Sequence, residues 1–154
     1  MTRREPVNPT DDAARALVRD LLAEVRFAAL AVTHPDSGAP HVARVGLIWD
    51  GQAALTLVST LATHTAALLA HPACAVLVGE PGTKGDPLTH PRLTLSALAA
   101  QVDKTAQKDR WLAAVPKAKL YYDFADFVMF RLRPTAIDLN GGFGKAYRLS
   151  AADL

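Results

Sequence analysis

HVARVGLIWDGQAALTLVSTLATHTAALLAHP, residues 41–72, is the stretch whose reading decides the fold. It divides into four pieces. Residues 41–49 form an apolar run with the character of a strand. Asp50-Gly51 is a strong hairpin signal, because glycine accepts the positive φ that a tight turn needs. Residues 53–59 return as a second strand. Residues 63–70 then read as a short helix that stops at His71-Pro72, since the residue before a proline avoids the helical region. Ser59, Thr60, Thr63 and Thr65 crowd the strand–helix junction together with His64. That is more hydroxyl than a helix start requires.

The flanking sequence extends the pattern. Upstream, Ala14, Leu17, Val18, Leu21, Leu22 and Val25 recur at helical spacing, and Thr10 or Asp11 can cap a helix over 11–26. Residues 27–33 follow as an apolar strand, and 34–40 as a turn punctuated by proline and glycine. Downstream, 73–80 reads as a strand, 81–91 as a proline-rich loop and 92–102 as a strand. Residues 104–114 read as a helix, 127–139 as a strand broken near Pro134, and 141–149 as a glycine-started last strand. Short connections imply antiparallel pairing. The expected fold is mainly β (α+β): six to seven antiparallel strands closed into a small barrel, with helices at its edges.

Composition narrows the function classes. The chain has 154 residues, half of them apolar, which suits one domain with a core of its own. Seventeen basic residues oppose fifteen acidic ones, and no basic run points to nucleic acid. No apolar stretch reaches the roughly 18 residues of a membrane span. The N-terminal residues lack an apolar signal core, and Cys74 is the one cysteine, so the expected compartment is the cytoplasm. Cys74 lies in the apolar run ACAVLV and reads as a buried, inert thiol.

Five histidines in no metal-binding spacing, with a single cysteine, give no expectation of a metal site. A serine-hydrolase elbow, a Walker-type phosphate loop and a Rossmann fingerprint are absent. What remains is the junction. A helix N-terminus offers unpaired N–H groups and about half a positive charge, which together favour phosphate. Ser59, Thr60, Thr63, His64 and Thr65 can extend that cradle; equally, Thr63 can cap the helix and the others can face solvent. Arg44, inside an apolar strand, either seeks an anion or points outward. A hairpin at Asp50-Gly51 brings Arg44 and the junction toward one phosphate.

These features resemble a known family. A strand carrying arginine, a DG turn, a return strand and Ser-Thr-x-x-Thr-His-Thr-x-x-Leu-x-x-His-Pro is similar to the pyridoxamine 5'-phosphate oxidase-like, FMN-binding split-barrel family. GDPLTHPRLTLS (85–96) and DLNGGFGKA (138–146) resemble its HugZ-type haem-utilisation branch. The resemblance spans roughly 15–148 and implies one split-barrel domain over 1–154, working as a homodimer with FMN between the subunits. It implies that Arg44, Val45, Gly46 and Leu47 run along the flavin. It places Thr63 and His64, preceded by Ser59 and Thr60, where relatives hold the phosphate with an Arg-Lys pair. Arg92 becomes a polar contact to the flavin. The segment 141–145, with Phe143 and Lys145, approaches from the other subunit. The implied function is an FMN-dependent oxidoreductase acting on a small molecule that the sequence does not name. The alternative is a haem-binding or haem-utilisation protein on the same barrel, without flavin. His90 reads as ordering its loop, His34 and His41 as solvated, and Trp111 as a packing anchor. Tyr121, Tyr122, Phe124, Phe127 and Phe130 read as core or dimer packing.

Overall fold

A computed structural model describes residues 7–154. Eight strands form one antiparallel sheet in the order β2-β1-β5-β6-β7-β4-β3, with β8 added to β7. The strands are β1 (Phe27–Thr33), β2 (Pro40–Gly46), β3 (Ile48–Trp49), β4 (Ala54–Ser59), β5 (Ala73–Val78), β6 (Arg92–Val102), β7 (Phe127–Asn140) and β8 (Ala146–Leu149). The helices are α1 (Asp12–Glu24), α2 (Thr63–Ala70) and α3 (Lys108–Ala114). Asp11 caps α1 through its carboxylate, which accepts the Ala14 amide at 2.8 Å. Among the described residues no helix is long and apolar enough to cross a membrane.

The expected strand over 41–49 is two strands, and this corrects the hairpin reading. β2 pairs only with β1, and β3 only with β4, so consecutive strands sit at opposite ends of the sheet order. Leu47, fully buried, is the single residue between them. Its amide donates to the Arg26 carbonyl at 3.0 Å, and the Thr56 hydroxyl of β4 donates to the Gly46 carbonyl at 2.6 Å. The barrel therefore closes at Leu47 through the chain itself. The Asp50-Gly51 turn joins β3 to β4, with the Asp50 amide donating to the Ala53 carbonyl at 2.9 Å and Gly51 at φ +101°. The Asp50 carboxylate accepts the Gln52 and Ala53 amides and pairs with Arg131 on β7. The long-range neighbour of β4 is thus β7, not β2.

Two further expectations are corrected. Pro134 does not break β7. The ladder to β6 carries a register shift there, with Ser96 opposite Ala136 and Ala97 opposite Pro134, leaving Thr135 unopposed. On the other edge, pairing lapses between Leu132, the last partner of β4, and Ile137, the first of β8. A missing N–H therefore does little harm at that point. The glycines at 141–144 form a turn rather than the start of a strand; β8 begins at Ala146.

One core fills the barrel: Leu30, Val76, Leu93, Leu95, Leu132 and Ile137 from the sheet, closed by Val18 and Leu22 of α1 and Leu68 of α2. Full burial of each such side chain contributes roughly 1.5–3 kcal/mol. A second, smaller core lies on the outer side of β3, β4 and β7, where Trp111 and Tyr122 pack on Ile48, Leu55, Leu57 and Met129. Trp111 is the expected anchor, and Phe130 belongs to the main core. A Cβ at Gly46 would meet the Trp111 ring at 3.1 Å.

Candidate functional site

The outer face of β2, β1, β5 and β6 has no element packed across it among the described residues. Alternation puts Ala29, Ala31, Ala75, Thr94 and Ser96 on that face, and the registers align Arg44, Ala29, Leu77, Thr94 and Asp138 in one row across five strands. Exposed apolar side chains surround these small residues: Phe27, Val42, Leu77 and Leu98, of which Val42 is 63% exposed. Arg44 lies over the Phe27 ring, 5.8 Å from its centroid. Arg92 lies on the same face, opposite Asn140. A cavity of about 280 Å³ is lined by Leu77, Arg92, Thr94, Asp138, Asn140 and Tyr147.

Two motifs meet around Arg92. Its Nη1 donates to the Leu88 carbonyl at 2.7 Å and the His90 carbonyl at 3.3 Å. The glycine turn at 141–145 is closed by the Gly141 amide on the Lys145 carbonyl and the Gly142 amide on Asn140 Oδ1. A Cβ at Gly142 would lie 3.1 Å from the Thr89 carbonyl, so this turn packs on the 86–91 loop of the same chain. Phe143 and Lys145 are exposed at its tip. The segments 85–96 and 138–146, far apart in sequence, are one surface.

The 59–65 junction lies elsewhere. Ser59 pairs with Phe127 and Arg92 with Asn140, so the two clusters sit at opposite ends of β7, the longest strand. The junction's hydroxyls are partly engaged by the chain. Ser59 Oγ accepts the Leu61 amide at 3.1 Å, and the buried Thr65 hydroxyl donates to the Ser59 carbonyl. The N-cap of α2 is Ala62, not Thr63, and no side chain caps the helix. The Thr65 amide donates to the Ala62 carbonyl at 3.1 Å, so the Thr63 and His64 amides are the ones left to solvent or a ligand. The exposed Thr60 and Thr63 are the remaining hydroxyls of the cradle. Burial, and next the charge of His41, hold His64 below the usual histidine range, so the ring is neutral near pH 7. His41 is half-buried rather than solvated, and so is His34, whose Nδ1 accepts the Asp36 and Ser37 amides and organises its turn.

The expected meeting of Arg44 with this junction does not occur within the chain. Arg44 faces the open side of β2, whereas His41, three residues away on the opposite face, is the β2 residue that reaches His64. Val45 and Leu47 point into the core, so their side chains cannot touch a flavin; they and Gly46 offer backbone only, and the Gly46 carbonyl is engaged by Thr56. Cys74 is half-buried, and burial pushes its thiol up to about 11, as suits an inert group. Sequence reasoning missed Lys104, whose Nζ donates to the carbonyls of Tyr122, Phe124 and Phe127 at 2.7–2.8 Å, while the Tyr122 hydroxyl donates to the Lys104 carbonyl. No local pattern marks such a clamp.

Comparison with known proteins places this architecture. No protein-family model matches the chain. The chloroplastic heme oxygenase HOZ of Arabidopsis thaliana is 36% identical over 103 residues, 64% of this chain and 30% of its own length. Heme oxygenase HutZ of Vibrio cholerae is 26% identical over 76% of this chain and 70% of its own. The heme binding protein of Mycobacterium smegmatis superposes with a TM-score of 0.84 at 27% identity, covering 96% of this chain and 60% of that one. Another solved structure, 40% identical, gives a TM-score of 0.88 over 94% of this chain and 96% of its own. By fold the chain is a pyridoxamine 5'-phosphate oxidase-like split barrel, and it is similar to that fold's HugZ-type branch. It spans less than a third of the plant relative and three fifths of the mycobacterial one.

Proposed function

We propose that this protein binds haem against its open sheet face, with a second copy of the chain completing the site. The observation that carries the reading is the distribution of charge. The 59–65 junction, which would hold a flavin phosphate, contains no lysine or arginine, and its histidine is held neutral. Arg44 and Arg92 stand instead on the open, apolar face. A flat apolar ring with two carboxylates matches that combination: small residues for the ring to lie on, and guanidinium groups for the carboxylates. The strand residues of this face include no histidine, so the proposed contacts are to the ring and its carboxylates. Bound haem would bring redox chemistry of its own; the protein's part is to bind, orient and shield it. The names of the relatives support the same reading.

The alternative, an FMN-dependent oxidoreductase, draws on the uncapped first turn of α2 with the exposed hydroxyls of Thr60 and Thr63. One experiment separates the two. Purified protein is titrated with haemin and, separately, with FMN, and each is followed by visible absorption. The expected result is a saturable Soret change at one haemin per protomer, weakened about tenfold or more by Arg92→Ala, since a charge-assisted hydrogen bond contributes roughly 1.5–3 kcal/mol. Tight FMN binding with no saturable haemin signal would overturn the proposal.

A further inference from the structure

The loop between β5 and β6 is tied together by one side chain. His90 Nδ1 accepts the Gly82 amide at 3.0 Å, and His90 Nε2–H donates to the Lys84 carbonyl at 2.6 Å. This pair of bonds admits one form of the ring, neutral with its proton on Nε2. The imidazole so pins residues 82–84 onto the second half of the loop. A Cβ at Gly82 would stand 3.0 Å from His90 Cε1, which shows how closely the two halves approach.

The second half is a single helical turn, Pro87–Thr89. The Asp86 carboxylate accepts the Leu88 amide at 2.9 Å, and the Asp86 carbonyl accepts the Thr89 hydroxyl at 2.7 Å. The carbonyls of this turn and of His90 are the ones that hold Arg92 Nη1. A groove of about 200 Å³ runs between Leu77, Pro87, Leu88, His90 and Arg92, and it abuts the cavity that Arg92 shares with Thr94 and Asn140. Arg92 is thus held at one nitrogen by the loop, while Nε and Nη2 have no hydrogen-bond partner among the described residues.

We infer that His90 is a positioning residue for Arg92. By fixing the loop from Gly82 to His90, the ring sets the two carbonyls that grip Nη1, and so aims the remaining edge of the guanidinium at whatever lies on the open face. The inference rests on the reading that Arg92 meets the ligand there. His90 itself makes no ligand contact in this arrangement, because both of its nitrogens are engaged by the backbone.

The test uses His90→Phe, which keeps a ring but no nitrogen, His90→Asn, which can restore the acceptor for Gly82, and Arg92→Ala. The first readout needs no ligand. In 15N-labelled protein, the Arg92 Nε–H signal is expected to be ordered in the wild type, to lose its heteronuclear NOE in His90→Phe, and to recover in part in His90→Asn. The wild-type ring nitrogens are expected to show the Nε2–H tautomer, a readout that holds even if a variant fails to fold. An unchanged Arg92 signal in folded His90→Phe, or the opposite tautomer, would overturn the inference. The second readout is haemin affinity. His90→Phe is expected to weaken it several-fold in the wild type and not at all in the Arg92→Ala background; additive losses would also overturn it. Absence of haemin binding by the wild type, with the Arg92 signal still responding to His90→Phe, would sink the haem reading and leave the positioning role standing.

Discussion

Gly79→Ala tests the geometry around Arg92 most directly. Gly79 follows β5 at φ +108°, a conformation that side chains rarely adopt. A Cβ there would lie 2.6 Å from the Pro91 carbonyl oxygen and 2.8 Å from Arg92 Cα. Both neighbours are backbone, and Pro91 restricts how they can yield. Backbone strain of this kind costs about 1–3 kcal/mol, and forcing atoms apart in a packed setting costs about the same again. The sum, roughly 2–6 kcal/mol, is a large part of the 5–15 kcal/mol typical of a domain. At about 2–4 °C per kcal/mol for a chain of this size, the melting temperature should fall by roughly 10 °C. Gly85→Ala is the control. It also has a positive φ, +74°, but nothing lies within 4 Å of its Cβ position, so the left-handed conformation alone should cost only about 1–2 kcal/mol. Calorimetry of both variants decides the matter. A Gly79→Ala protein no less stable than Gly85→Ala would refute the close approach of β5 to the start of β6, and with it the account of how Arg92 is held.

Three other outcomes are expected. Lys104→Met keeps the stem but leaves three carbonyls without their shared donor; denaturant unfolding should show a loss of about 2 kcal/mol, and a loss below about 0.5 would remove the clamp from the account. Burial, aided by the charges of Asp123 and Asp103, pushes the Tyr122 phenol up to about 12, above the ordinary value near 10. The folded state therefore favours the protonated phenol, so the stabilisation is complete below pH 10 and is lost as pH rises through 12; Tyr122→Phe should flatten stability over that window, and an unaltered slope would count against it. On the open face, Leu77→Glu should turn the proposed dimer into a monomer in light scattering at micromolar concentration, and a monomeric wild type would leave the proposed site uncompleted.

Local signals made most elements legible. The apolar run at 27–33, the helix stopped by His71-Pro72 and the strand that starts after Pro91 all lie where the sequence puts them. These boundaries depend on a residue's own conformational limits, which travel with the residue. The division at Leu47 was not legible, because a chain crossing a barrel seam stays buried and extended and looks like one strand. The site was legible in part. The segments carrying Arg92 and the glycine turn meet, but the pairing of Arg44 with the hydroxyl junction rested on giving β4 to β2. Its partner β7 begins nearly seventy residues later, and no local pattern announces a partner at that distance. His90 could be read as a loop organiser; that its loop holds Arg92 depends on carbonyl directions, which leave no trace in residue types.

The fourteen residues of β7 touch three other strands: β6 along most of their length, β4 at the start and β8 at the end. On a ribosome, everything up to β6 emerges before this strand exists. Until then β4 and β6 each have a bare edge, and the apolar lining between them stays wet. Such intermediates are the ones that stick to each other and engage chaperones. Synthesis of 127–140 is thus the step at which the nascent chain passes from an aggregation-prone half-sheet to a closed barrel. Slowing translation just before Phe127 should lower the soluble yield more than slowing it after Asn140.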